Sequence, residues 1–355
     1  MRRPETLMPP IRPLRASRRH HVIEIIDQTQ LPRRDVTIPL RSAADAARAI
    51  ASMQVRGAPL IGVTAAYGLA LSLDLDSSDS ALRDAYAMLL AARPTAVNLR
   101  WALERVRIVV TPLAPSARAA AAWDEADAIA AEDVATNRAI GEHGLSIIST
   151  LAATRSPINV LTHCNAGALA TLGWGTATAP IYLARQAGIP VHVWVSETRP
   201  RLQGARLTAW ELAANDVPHT LIVDAAGAAL MRQGRIDVVL VGADRVAANG
   251  DVCNKIGTYE KALAAADNAI PIYAAVPSST IDWTLADGEG IPIEERGADE
   301  VTRVGGEAIA PPETAVWNPA FDVTPGRLLT GIISERGICK PSTEGLSALF
   351  ERTAQ

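Results

Sequence analysis

Two side chains able to move protons stand where apolar runs stop. Cys164 ends INVLTHC and leads into Asn165-Ala166-Gly167, while Asp244 ends DVVLVGAD and leads into Arg245. A third apolar run, VHVWVS, stops at Glu197-Thr198-Arg199. In an open parallel sheet, ligands bind outside the carboxyl ends of strands, where loops converge on helix N-termini. A lone free cysteine is commonly a small buried hydrophobe. Between a strand end and a small-residue turn entering a helix, however, its setting can lower the thiol pKa. An aspartate in such a place either caps the next element or pairs with a neighbour such as Arg245, or it carries a raised pKa and exchanges protons. The residues alone leave both readings open. Cys253 and Cys339 read as core hydrophobes.

Cations recur near the same places. Arg56-Gly57-Ala58-Pro59 opens an apolar helix, so backbone N–H groups and a fixed guanidinium can face one phosphate. Arg93-Pro94-Thr95 precedes a helix starting near Val97 in the same way, and Lys255 follows the Asp244 turn. Any one of them alone reads as a solvated surface charge. Together they point to an anionic substrate, with Gln203 and Asn254 as neutral partners for its hydroxyls.

Other chemistries lack their signatures. Gly173-Trp174-Gly175 has no third glycine of a dinucleotide loop, and no P-loop is present. The six histidines form no metal pattern, and neither a cofactor nor a metal is expected. A net charge of −4 offers no basic face for nucleic acid. Three widely spaced cysteines suggest no disulfide framework and a reducing, cytoplasmic setting. No run is expected to reach the ~18 apolar residues that would span a bilayer.

The elements that must position these groups change character near residue 155. With 355 residues, two domains are the natural expectation. Residues 1–21, Arg-rich and Pro-interrupted, read as a flexible basic tail. Residues 22–150 read as a mostly helical domain with a small β element at HVIEIIDQTQLP; AADAARAIASM, Ala65–Leu73, VNLRWALERVRIVV and Ser116–Ser149 carry helical spacing. From 151 to 355, INVLTHC, VHVWVSE, TLIVDA, DVVLVGAD and PIYAAV alternate with helical stretches. Continuous apolar runs of this length suit strands covered on both faces. The class is therefore α/β, with a Rossmann-like parallel sheet in the C-terminal domain. The stretch Gly288–Pro325 reads as loops.

Six long segments carry a resemblance: VRGAPLIGVTAAYGLAL, RPTAVNLRWALERV, LTHCNAGALAT, ETRPRLQGARLTAWEL, VGADRVAANGDVCNKIGTY and NPAFDVTPGRLLTGIISERG. In content and order the chain resembles the methylthioribose-1-phosphate isomerase family, which shares its fold with regulatory subunits of the translation-initiation guanine-nucleotide exchange factor. The resemblance implies a homodimer that turns the aldose 5-methylthioribose 1-phosphate into its ketose in methionine salvage. It places the catalytic pair on Cys164 and Asp244. It places substrate contacts on Arg56, Gly57, Ala58, Arg93, Gln203, Asn254 and Lys255. Ser196 stands where the family pattern has an aspartate, Gly173-Trp174-Gly175-Thr176 departs from a G-Y-G-T run, and Cys253 replaces a small residue. These departures bear on the 5-substituent more than on the reaction. The competing readings are an isomerase for 5-deoxyribose 1-phosphate or ribose 1,5-bisphosphate, and a non-catalytic interaction protein of the same fold.

Overall fold

The computed structural model describes residues 11–93 and 97–351. The described residues open with three antiparallel strands, β1 (Leu14–Ser17), β2 (Val22–Ile26) and β3 (Thr37–Leu40), in the order β1-β2-β3. This corrects the expected tail. Leu14–Ser17 pairs with Val22–Ile25 in regular register, and Leu14 is buried in the core. Residues 1–10 lie outside the described residues.

Five helices follow: α1 (Ala43–Ala51), α2 (Ala58–Leu75), α3 (Asp79–Ala91), α4 (Val97–Val110) and α5 (Pro115–Ala152). Ser42 and Ser78 cap α1 and α3 by accepting N–H bonds from Asp45 and Ala81, which satisfies donors a helix start leaves open. The helix α2 is apolar around its whole circumference and is the axle of this layer, with Leu60, Val63, Leu69 and Leu73 all enclosed. By length and composition α2 could cross a membrane, contrary to the sequence expectation. Its burial among α1, α3, α4 and α5 is what an all-round apolar helix requires of a protein core.

The second layer alternates strands and helices. In chain order it comprises β4 (Ile158–Thr162), α6 (Ala179–Gln186), β5 (Val191–Ser196), α7 (Ala209–Ala214), β6 (His219–Ile222), α8 (Ala226–Arg232) and β7 (Val238–Val241). A hairpin of β8 (Arg245–Ala247) and β9 (Val252–Lys255) then precedes α9 (Thr258–Asp267), β10 (Ile272–Ala275) and β11 (Ile281–Asp282). The stretch read as loops contains α10 (Asp299–Thr302), a small hairpin of β12 (Arg303–Val304) and β13 (Glu307–Ala308), and β14 (Phe321–Thr324). The described chain ends with β15 (Gly331–Ser334), β16 (Gly337–Cys339) and α11 (Thr343–Glu351).

The main sheet runs β16-β15-β10-β7-β4-β5-β6, parallel except for β16. The chain starts at β4, winds outward to β6, then returns to the far side of β4 at β7. That reversal places a topological switch point between β4 and β7, where a doubly wound sheet opens a crevice beyond its strand ends. Cys164 follows β4 and Asp244 follows β7. A four-stranded sheet, β11-β8-β9-β14, walls one side of the crevice.

Candidate active site

All nine residues singled out from the sequence line one cavity of about 670 Å3: Arg56, Gly57, Ala58, Arg93, Cys164, Gln203, Asp244, Asn254 and Lys255. The strand ends supply Cys164 and Asp244. The segment entering α2 supplies Arg56 and Gly57, the first residue of α2 is Ala58, and β9 supplies Asn254 and Lys255. Gly57 has φ 88, and a Cβ there would come within 2.5 Å of Ala170, so only glycine lets the α2 N-terminus seat against the loop beyond Cys164.

The Cys164 backbone is held in the left-handed region, with φ 63, a conformation costly for a residue with a side chain. Neighbours from other elements lock it there. Cys164 N donates to Thr198 Oγ1 at 2.8 Å, and Thr208 Oγ1 donates to the Cys164 carbonyl at 2.6 Å. Thr198, itself at φ 68, is fixed because its N–H donates to Asp224 at 2.8 Å. Ser196 also donates to Asp224, at 3.0 Å, so the serine that departs from the family pattern sits behind the Cys164 loop. Asn165 takes the Arg56 guanidinium as a fork, Nη1 onto its side-chain oxygen at 2.5 Å and Nη2 onto its carbonyl at 2.7 Å. A planar clamp of this kind orients a guanidinium for a phosphate.

On the other side, Asp244 N donates to the Cys253 carbonyl at 2.9 Å. Arg245 pairs with Asp282 at 3.3 Å. Lys255 Nζ donates to the Ala320 carbonyl at 2.8 Å and lies 4.4 Å from the centre of the Phe321 ring. Arg93 lies 3.7 Å from Glu294. Asn254 donates to Thr258 at 3.0 Å, leaving its amide oxygen for a ligand hydroxyl.

Burial pushes the Asp244 carboxyl above its ordinary value, with Lys255, Arg93 and Arg56 pulling it back. The Cys164 thiol is also pushed up by burial, against the pull of Arg56 and Lys255. This reverses the sequence expectation of a lowered thiol. The turn after β4 leads into a short 3-10 segment, Ala168–Ala170, rather than straight into an α-helix, so desolvation is not offset by a helix terminus. Beside it, His163 is driven down to about 3 by burial and by Lys261, and its Nε2 lies 2.8 Å from the Ile256 carbonyl. That ring is a neutral donor. Sequence reasoning passed over Asn165, Thr198 and Thr208, whose roles depend on contacts across the fold. Adjacency to Cys164 was the one available clue, for Asn165. Among the described residues, no cluster of His, Cys, Asp and Glu could hold a metal ion.

The family model described as the Initiation factor 2 subunit family matches residues 54–341. A methylthioribose-1-phosphate isomerase of Methylorubrum extorquens is 59% identical over 92% of this chain and 93% of its own length. One from Dechloromonas aromatica is 56% identical over 98% of both. Among solved structures, the 5-methylthioribose 1-phosphate isomerase of Pyrococcus horikoshii superposes with a TM-score of 0.87 at 41% identity, covering 96% of each chain. The delta subunit of the A. fulgidus translation initiation factor eIF-2B superposes at 0.84 with 36% identity, over 96% of this chain and 99% of that one.

Proposed function

The chain belongs to the initiation factor 2 subunit family and, within it, to the methylthioribose-1-phosphate isomerases, and on that premise we propose that Cys164 and Asp244 carry out the isomerisation. The reaction is aldose to ketose, 5-methylthioribose 1-phosphate to 5-methylthioribulose 1-phosphate, in methionine salvage. The observation that carries the residue assignment is the placement of this pair at the ends of adjacent central strands, in one cavity with Arg56, Arg93 and Lys255.

A sugar phosphorylated at its anomeric oxygen cannot open to a free aldehyde, so the ring must open with the phosphate in place. Asp244, whose hold on its proton burial strengthens, gives that proton to the ring oxygen as the bond to C1 breaks. Hydrogen then passes from C2 to C1 with its electron pair, and the ionised Asp244 takes the proton of the C2 hydroxyl. C2 becomes the ketone, and Asp244 ends as it began. A raised thiol pKa favours this route over a thiolate base; Cys164, neutral and enclosed, borders the electron-poor C1–C2 unit and excludes water from it. Arg56, Arg93 and Lys255 hold the phosphate, the α2 N-terminus adds backbone donors at Gly57 and Ala58, and Gln203 and Asn254 take hydroxyls.

Met53 and Phe321 give the cavity apolar walls, which suit a methylthio group. The adjoining hollow carries Arg201 and Arg206, and a second phosphate would be held there. A panel varying only the 5-position separates these substrates. The proposal further takes the helical layer with its three-stranded sheet, and the α/β layer from 151 to 355, as two domains of a cytoplasmic homodimer. Free thiols at Cys164, Cys253 and Cys339 support the compartment. Exposed Leu221 on edge strand β6 and Val223 just after it support a surface for a second copy.

The test is ketose formation from the 1-phosphate by wild type, Cys164→Ala and Asp244→Asn. Both variants are expected to lose turnover by about 10³-fold or more while still binding substrate in calorimetry. Near-normal turnover by Asp244→Asn would remove it from the mechanism. The likeness to the initiation-factor subunit supports a second, non-catalytic reading, which wild-type turnover would exclude.

A further inference from the structure

Glu211, on α7, takes no part in the chemistry above, yet its side chain is completely buried behind the loop that carries Cys164. Its Oε2 accepts the Leu169 N–H at 3.1 Å. Its Oε1 has no hydrogen-bond partner among the described residues and presses on Gly167, where a Cβ would lie 1.4 Å from it. One turn earlier, Thr208 bonds the Cys164 carbonyl and accepts from Asn165 Nδ2 at 3.1 Å. Thr208 closes a π-helical turn, Gly204–Thr208, a widened turn frequent at functional sites. Residues 164–169 are thus tied to this one helical segment at both ends. Asn165, inside that span, clamps Arg56.

We propose that Glu211 is a positioning residue, holding the 164–169 loop so that Cys164 and, through Asn165, Arg56 face the substrate; this rests on the isomerase reading above. A buried carboxylate is otherwise a liability, and burial raises this one to about 7, with Asn165, Arg56 and Tyr182 facing it. The sign follows from that shift. Folding binds the Glu211 proton more tightly than the unfolded chain does, so its contribution to stability is present below about pH 4 and lost as pH rises through about 7. Glutamine there keeps an acceptor for Leu169 and removes the charge. It should preserve or raise stability at pH 8.

The experiment compares the full-length wild type, Glu211→Gln and Glu211→Ala. It measures kcat and KM from pH 6 to 9, Tm, and the rate at which iodoacetamide alkylates Cys164, followed on its peptide with and without inorganic phosphate. Glu211→Ala is expected to lower kcat about 10²-fold, as misplacement of a reacting group does, and to weaken phosphate protection of Cys164. Glu211→Gln is expected to keep kcat within about threefold, hold its Tm at pH 8, and lose a wild-type inflection near pH 7. Wild-type kinetics and protection in Glu211→Ala would overturn the proposal. So would parallel loss of Tm and kcat in both variants, the mark of a packing brace. A wild type without turnover, whose Cys164 alkylation still responds to Glu211→Ala, would sink the isomerase reading and support the positioning role.

Discussion

A thiol and a carboxyl that both hold their protons more tightly than usual need a reason to do so among three cations. For Cys164 and Asp244 the reason is enclosure. The penalty for charging a buried group exceeds what Arg56 and Lys255, joined at Asp244 by Arg93, return. Lys255 acts on both groups, because it follows Asp244 by one hairpin and its Nζ is fixed on the Ala320 carbonyl. Lys255→Met should therefore push the Cys164 thiol still higher. Alkylation of Cys164 by iodoacetamide at pH 8.5 should slow about threefold or more. An unchanged rate would mean that Lys255 does not reach the thiol. That these residues would share a cavity was legible because a parallel sheet presents its strand ends together, and apolar runs mark where strands end. The raised thiol was not legible. It depends on which residues close over the loop, and Thr198, Thr208 and Glu211 reach it from stretches more than thirty residues away.

Helix α5 shows what pattern reading captures and what it omits at the scale of an element. Its extent was legible, since apolar positions recur on one face from Ile129 to Ile148. Its partners were not. Ile129 belongs to the core around α2, whereas Ile140 and Ile148 belong to the core around β4 and α6. Gly141 and Gly144 let α6 approach, and a Cβ at Gly144 would lie 2.3 Å from Pro180. Proline is rigid and α6 is anchored at its N-terminus, so little can yield. Gly144→Ala should thus lower Tm although alanine is the better helix former by about 1 kcal/mol. Thermal unfolding measures it; a raised Tm would show that α6 moves aside. The first strand illustrates the opposite error. LRAS is too short and polar to read as a strand, and only its pairing with VIEII makes it one.

The cavity belongs to the whole molecule. Arg56, Gly57, Ala58 and Arg93 come from the helical layer, while Cys164, Gln203, Asp244, Asn254 and Lys255 come from the α/β layer. The 38 residues of α5 run about 57 Å and enter both cores. A boundary near residue 150 follows the change in composition, but it leaves this helix on one side while half of its apolar face packs on the other. Two layers that share an element and a site should not unfold separately. Calorimetry should show one transition, and the 1-phosphate substrate should shift all of it upward, by about 2.7 kcal/mol of stabilisation at a hundred times its Kd. Asp133, midway along α5, offers a check on that coupling. Its carboxylate accepts the Leu172 N–H of the other layer at 2.7 Å, and burial raises it to about 7. Its share of stability is therefore present below about pH 4 and lost as pH rises through about 7. Asp133→Asn should raise the single transition at pH 8 by roughly 2–4 °C and have little effect at pH 4. If two transitions appear, and only one answers to substrate or to Asp133→Asn, the layers are independent and α5 does not join them.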